Sequence, residues 1–209
     1  MKGLSRLSLS LLLLVGVAAC AEEKRTAEPS DAVAEAEADQ TVDAKPEKQD
    51  TVKIAVALDG EGLRFVNATT GSTRLLAFGT ERATAEEAIV AQLGPVDSRT
   101  SNQECGAGPV DFSQFGDFTA NFQDGKFVGW ALSDGDKNSD LTTMSGIGIG
   151  TPRTTMAQSI TFEIDDDSSI GTEFHTGGDG ADGLSGLLDS DAQDARITDL
   201  WAGTNCIFR

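Results

Sequence analysis

FGTERATAEEAI, residues 78–89, has a counterpart in IGTPRTTMAQSI, residues 149–160, and the two stretches align without gaps at an offset of 71. The matched pairs are Gly79 and Gly150, Thr80 and Thr151, Arg82 and Arg153, and Ile89 and Ile160. Trp130 and Trp201 keep the same offset far downstream. Self-similarity at one offset indicates a duplicated structural unit.

Each copy contains the pattern that starts a helix. Thr84 is followed three residues later by Glu87, and Thr155 is followed three residues later by Gln158. In such a capping box, the threonine oxygen accepts a free N–H and the Glu or Gln side chain reaches back. The patterns predict a first helix that opens at Thr84 and stops at Gly94-Pro95, and a second from about Met156.

Strand patterns surround both helices. Asp124-Gly125 lies between the alternating segments DFTANFQ and KFVGWAL, which is the strongest short-range signal for a hairpin. Further predicted strands are KIAVALD, GLRFVNA, TRLLAFG, GTEFHT, GLSGLLD and ARITDLWAG. We therefore predict an α+β fold of two tandem copies, each a short helix plus an antiparallel sheet, over residues 51–140 and 141–209.

The N-terminal twenty residues have the layout of an export signal. Lys2 and Arg6 precede an uncharged apolar run, residues 9–19, which is too short for a permanent membrane span. The run ends in Val17-Ala18-Ala19-Cys20, which resembles the lipobox of bacterial lipoproteins. The resemblance implies that residues 1–19 form a cleaved signal peptide and that Cys20 carries a diacylglyceryl thioether and an acylated amino group, with chains such as palmitate.

Residues 20–50 follow as a lipidated cysteine and a stalk. From residue 21 onward the stalk holds ten acids, four bases, two prolines and no aromatic residue, so it cannot bury enough apolar surface to offset its ordering entropy. Ala21 stands where the resemblance would place an aspartate for retention at the inner membrane. We therefore expect a lipid anchor in the cell envelope, at the outer membrane facing the periplasm.

Charge limits the partners of the folded part. Residues 51–209 contain 24 acidic and 10 basic residues, a net charge of −14. Such a surface repels phosphate backbones, so nucleic acid is excluded as a partner. No P-loop and no strand-tied glycine-rich motif is present, so nucleotide binding has no support either.

Cys105 and Cys206 remain after Cys20 is assigned to the lipid. An even pair in an exported domain predicts a disulfide, and the alternative of a catalytic thiol lacks a suitable base.

The pairing of ECGAGPVDF with LWAGTNCIFR resembles an uncharacterised family of small exported bacterial proteins and implies no activity. In layout, the doubled helix-and-meander resembles tandem-repeat β-lactamase inhibitor proteins and the small lipoproteins that assist outer-membrane barrel assembly.

The most specific chemical candidate is the loop DGDKNSD. Asp134, Asp136, Asn138 and Asp140 alternate like the ligands in the first half of an EF-hand calcium loop. Ser139 stands where that loop requires glycine, and Ser145 stands where it requires a bidentate glutamate. A polar connector between the repeats explains the stretch as well, so calcium is one alternative and no cofactor is the other.

Two further candidates are His175 and the recurring arginines. His175 lies near several acids but has no second histidine and no serine elbow, so it is either a catalytic base or a solvated loop residue. Arg82 and Arg153 bind a carboxylate of a partner, or each pairs with a nearby acid.

The sequence thus favours a non-catalytic envelope lipoprotein that binds another envelope protein or a wall component. The alternatives are a hydrolase acting near His175 and a calcium-binding module.

Overall fold

The computed structural model describes residues 53–177 and 183–207. The signal peptide, Cys20 and the stalk lie outside the described residues. The described elements, in chain order, are β1 Ile54–Asp59, β2 Gly62–Asn67, β3 Thr73–Ala77, α1 Arg82–Leu93, β4 Ser98–Asn102, β5 Val110–Phe115, β6 Phe118–Gln123, β7 Lys126–Ser133, β8 Thr142–Thr143, α2 Arg153–Ser159, β9 Glu163–Asp165, β10 Thr172–His175, β11 Leu184–Leu188 and β12 Ile197–Gly203.

The predicted fold class, α+β, is wrong. Strands hold about 45% of the described residues and helices about 13%, so the chain is a β-rich fold of two sheets with four and eight strands. Among the described residues, α-helix is confined to the 12 residues of α1 and the 7 residues of α2. No strand was predicted over β4, β5, β8 or β9.

The large sheet is one continuous antiparallel layer made from two meanders. Its order is β4-β5-β6-β7-β12-β11-β10-β9, so each meander contributes four neighbouring strands and the two meet where β7 pairs with β12. The small sheet has the order β3-β2-β1-β8, with β8 parallel to β1. The Asp124-Gly125 turn joins β6 to β7 with positive φ at both residues, as the predicted hairpin requires.

The core lies on one face of the eight-stranded sheet, which we call the inner face. Strand alternation places Ala120, Trp130 and Ala202 in one row on this face, and all are at most 2% exposed. The small sheet and both helices supply further members of the same cluster, including Leu58, Ile89 and Met156. The indole Nε1 of Trp130 donates to the Asp59 carbonyl at 2.9 Å, which ties the two sheets together.

The sequence repeat coincides with a repeated backbone pattern ahead of the two helices. Gly79 N donates to Phe127 O at 2.7 Å and Phe127 N donates to Thr80 O at 2.8 Å. In the other half, Gly150 N donates to Ile197 O at 2.7 Å and Ile197 N donates to Thr151 O at 3.1 Å. Each loop is therefore held against the start of the last strand of its meander, β7 in one case and β12 in the other.

These hydrogen bonds also show that Trp130 and Trp201 are not equivalent. The loops match at an offset of 71, but their partners Phe127 and Ile197 are 70 residues apart. The residue that corresponds to Trp130 is thus Leu200, and Trp201 corresponds to Ala131. The match of the two tryptophans in the sequence is therefore a coincidence. Because side chains alternate along a strand, a shift of one residue places Trp201 on the face opposite to that of Trp130.

The predicted capping boxes are not formed. Helix α1 begins at Arg82 after Glu81, and α2 begins at Arg153 after Pro152, so Thr84 and Thr155 lie inside the first turn. Neither helix has a side-chain cap hydrogen bond at its N-terminus. The backbone bonds of Arg82 N to Gly125 O and of Arg153 N to Ala195 O, both 2.7 Å, satisfy these ends instead.

Candidate ligand groove on the outer sheet face

The outer face of the eight-stranded sheet carries a different set of side chains. Alternation places Gln114, Thr119, Ala131, Trp201 and Ser185 in one cross-strand row on this face. Most outer positions are half-buried or exposed. The partial burial comes from the neighbouring side chains and from two segments that border the face.

These side chains and segments enclose a groove of about 450 Å³. Its floor belongs to six neighbouring strands, from β4 through β5, β6, β7 and β12 to β11, and Ile170 and residues 205–207 rise at its sides. Six strands at about 4.8 Å spacing span about 24 Å. The space is therefore long and shallow, and its volume lies in the range of ligand-binding clefts.

Apolar surface and one carboxylate dominate the groove. Trp201, Phe112, Leu187 and Ile170 line it with aromatic and aliphatic area. Asp199 lies two residues from Trp201 on the same face of β12 and is the one charged side chain that lines the groove. No hydrogen bond or ion pair joins its carboxylate to another described residue, so its charge faces the open space.

The C-terminal segment, residues 204–207, forms one wall. Thr204 N donates to Val128 O at 2.8 Å, and Val128 lies beside the β-bulge at Asn121/Phe122 where the β6–β7 register shifts. A Cβ on Gly129 would lie 2.2 Å from the Thr204 carbonyl oxygen. Only glycine at residue 129 therefore lets the segment approach the sheet this closely.

Asn121 holds the same wall through side-chain hydrogen bonds. Its Nδ2 donates to Thr204 O at 2.9 Å and to Asn205 Oδ1 at 2.7 Å. The side chain lines the groove and is 1% exposed, and its Oδ1 accepts no hydrogen bond from any described residue. A buried acceptor without a donor is costly, so this oxygen favours a ligand or water that brings a hydrogen-bond donor.

The two cysteines lie at the same wall. Cys206 lines the groove, and Asn102 Nδ2 donates to its Sγ at 3.3 Å. Burial, followed by the hydrogen bond and the charge of the neighbouring Cys105 side chain, raises the pKa of the Cys206 thiol to about 11. Both residues are described as free thiols, so the disulfide stays a prediction, but the fold does bring the predicted partners together.

The recurring arginines take different contacts. Arg82 Nη1 donates to Asp111 Oδ2 at 2.9 Å, and its guanidinium carbon lies 4.7 Å from the centroid of the Phe122 ring. Arg153 Nη1 donates to the backbone carbonyl of Asp191 at 3.0 Å. Neither arginine lines the groove, so the structure does not bring the pair to one site.

The predicted calcium loop is fastened to other parts of the chain by hydrogen bonds. Asn138 Nδ2 donates to Phe115 O at 2.8 Å, and Lys137 Nζ donates to Asp97 Oδ1 at 2.7 Å. Asp134, Asp136 and Asp140 are exposed. Within residues 53–177 and 183–207, no three His, Cys, Asp or Glu side chains are grouped closely enough to hold a metal ion.

His175 lies on β10, opposite Glu163 on β9 and Ser185 on β11. Its Nε2 is 3.5 Å from Glu163 Oε2, and the glutamate side chain is 81% exposed. This pair lies on the edge strand β9 and its neighbour β10, and it does not line the groove. The described part of the chain also has no helix with the length and apolar character needed to cross a bilayer.

Sequence reasoning missed the residues that define the groove, namely Asp199, Asn121 and Asn205. Asp199 was one acid among many, and only its place on β12 beside Trp201 distinguishes it. The available signal was the alternation in ITDLWAG, which puts Asp199 and Trp201 on one face and Leu200 and Ala202 on the other.

Comparison with known protein families, with curated proteins and with solved structures gives no match for this chain.

Proposed function

We propose that this protein is a membrane-anchored envelope lipoprotein that acts as a non-catalytic binding module, with the outer-face groove as its binding surface. The observation that carries the proposal is the groove itself, in which half-buried apolar side chains and an unpaired carboxylate lie on the sheet face opposite the core. A monomer whose core lies on the inner face has no structural need for aromatic area on the outer face.

The N-terminal sequence supports the location. A lipobox at residues 17–20 followed by an acidic stalk would tether the domain to a bilayer and hold it away from the surface. Export would also place Cys105 and Cys206 in an oxidising compartment, where a disulfide would fix the C-terminal wall of the groove. Lipidation, stalk and groove together describe a tethered module that binds another envelope protein or a wall component.

The test uses the full chain in its own cell envelope. A photo-crosslinking amino acid at Ser133, which is exposed at the groove, should form a discrete adduct on irradiation. Ala131→Arg fills the middle of the groove with a long side chain, and we expect it to abolish the adduct. Thr155→Arg adds the same charge on the exposed side of α2 and should leave the adduct unchanged.

The membrane anchor is tested separately. Metabolic labelling with radioactive palmitate should mark the protein, and Cys20→Ala should remove the label. An adduct that persists in the Ala131→Arg protein, or palmitate incorporation that survives Cys20→Ala, contradicts the corresponding half of the proposal.

A further inference from the structure

We propose that the groove binds an extended protein segment that carries a lysine or arginine next to an apolar side chain. This inference depends on the proposed function, because it names the chemistry of the partner at the same site. Four features of the groove support it: its length, the charge of Asp199, the apolar neighbours of Asp199 and the unpaired oxygen of Asn121.

The length of the groove favours an extended segment. Its floor crosses six strands, which corresponds to about 24 Å. A fully extended chain advances about 3.3–3.6 Å per residue, so about seven residues match this length.

The negative charge of the groove favours a segment with a positive charge. Asp199 is half-buried on the groove floor between Ser133 on β7 and Leu187 on β11, with no cationic partner among the described residues. The folded part as a whole carries a net charge of −14. A carboxylate flanked by apolar surface binds an ammonium or guanidinium group more strongly than a solvated one does, because water screens it less.

The neighbours of Asp199 select the adjacent residue. Trp201 lies two positions along β12 and faces Ala131 on β7, which leaves space above a small side chain. Phe112 and Leu187 extend the apolar lining on either side. An aliphatic or aromatic side chain next to the basic residue would cover this area, as anchor side chains do in interfaces.

The unpaired oxygen of Asn121 indicates a donor from the ligand. Asn121 Oδ1 is buried and accepts no bond from a described residue, while its Nδ2 is already used by Thr204 and Asn205. A protein segment offers a backbone N–H at every non-proline residue, so it supplies the donor without any special side chain. The charged acceptor, the apolar lining and this neutral acceptor all describe one ligand chemistry.

The experiment selects binders from a library of acetylated, amidated seven-residue peptides with the full-length lipidated protein in detergent micelles. We expect the retained peptides to share a lysine or arginine adjacent to a leucine, isoleucine or phenylalanine. Asp199→Asn should weaken a selected peptide at least about tenfold, since a hydrogen bond to a charged group is lost. Asp124→Asn is the matched control, because it removes the same charge from an exposed turn whose positive φ suits asparagine.

Three outcomes overturn the inference. Selected peptides without a basic residue, or equal affinity for the Asp199→Asn protein, would show that Asp199 does not choose the ligand. Full displacement of a selected peptide by an equal concentration of N-acetyl-lysine amide would show that a small amine is sufficient.

If the preference for a basic residue is absent but Ala131→Arg still abolishes peptide binding, the proposed binding module stands and only its ligand chemistry is wrong. If no peptide is retained and the Ser133 adduct is also absent, the proposed function fails as well.

Discussion

Strands β7 and β12 are neighbours at the centre of the large sheet, and each contains a tryptophan that points to a different face. Trp130 on β7 is fully buried on the inner face and donates to the Asp59 carbonyl, so it joins the two sheets. Trp201 on β12 is 8% exposed on the outer face and lines the groove. The difference teaches that one sheet provides stability on one face and a binding surface on the other.

Truncating each tryptophan is the strongest test of that comparison. Trp130→Ala should lower the free energy of unfolding by about 3–5 kcal/mol, because it leaves a closed cavity and removes the bond to Asp59. Trp201→Ala borders open space that water can refill, so the loss should be smaller, about 1–3 kcal/mol. Urea denaturation monitored by far-ultraviolet circular dichroism measures both. Equal losses would mean that the outer face belongs to the core.

Oxidation of the cysteine pair should have the next largest effect. A bond between Cys105 and Cys206 closes a loop of about one hundred residues, and disulfides of this kind stabilise by about 2–4 kcal/mol. The full-length protein treated with glutathione disulfide should therefore unfold at a higher urea concentration than the reduced protein, and Cys105→Ser should show no such difference. The reduced Cys206 thiol should react with iodoacetamide slowly at pH 8 and faster as the pH rises toward its pKa of about 11, because the thiolate is the nucleophile.

The close approach of the C-terminal wall can be tested at Gly129. Gly129→Ala puts a Cβ 2.2 Å from the Thr204 carbonyl oxygen, so the wall must move away from the sheet. We expect a loss of about 1–3 kcal/mol in unfolding free energy and faster amide exchange at Thr204. Thr119→Ala, on the neighbouring strand of the same face, is the control and should leave that exchange rate unchanged. Unaltered protection of Thr204 in the Gly129→Ala protein would refute this account of the wall.

The smallest effect is expected where α1 meets the inner-face side of β5. Burial raises the pKa of Glu86, but hydrogen bonds from Arg99 and Ser113 and the charges of Arg99 and Arg82 outweigh it, and the net pKa lies below its usual value. A lowered folded-state pKa adds stability above the unfolded pKa, and this stability is lost as pH falls through the folded value. Glu86→Gln should thus cost about 1 kcal/mol at pH 7, and the cost should shrink as the pH falls below 4. A constant difference between the two proteins from pH 7 to pH 3 would argue against the assignment.

The sequence predicted the strands better than the fold class. Alternation located β1, β2, β3, β6, β7, β10, β11 and β12, because each has a buried face and turn residues at its ends. It failed for β4, SRTSN, which is a mostly exposed edge strand with no apolar alternation to detect. Threonine followed by Glu or Gln suggested the helix starts, but backbone hydrogen bonds to residues 125–127 and 195–197 already satisfy the loop before each helix. Helix α1 therefore begins two residues before the predicted Thr84, and α2 begins three residues before Met156.

The candidate site was harder to foresee than the strands. The shared offset of Trp130 and Trp201 suggested two equivalent positions, but the offset changes by one residue between the loops and the strands, and this change places Trp201 on the opposite face. Asn121 lies far along the chain from Asp199 and Asn205, and only the antiparallel order of β6, β7 and β12 brings them together. No local pattern in one segment reports on such a combination.

The position of β12 has a consequence for how this chain acquires its fold. β12 lies in the middle of the large sheet, between β7 and β11, yet it follows every other described strand in the sequence. The two meanders therefore cannot join before β12, the last of these strands in the sequence, is in place. The groove floor is incomplete until β12 has paired with β7.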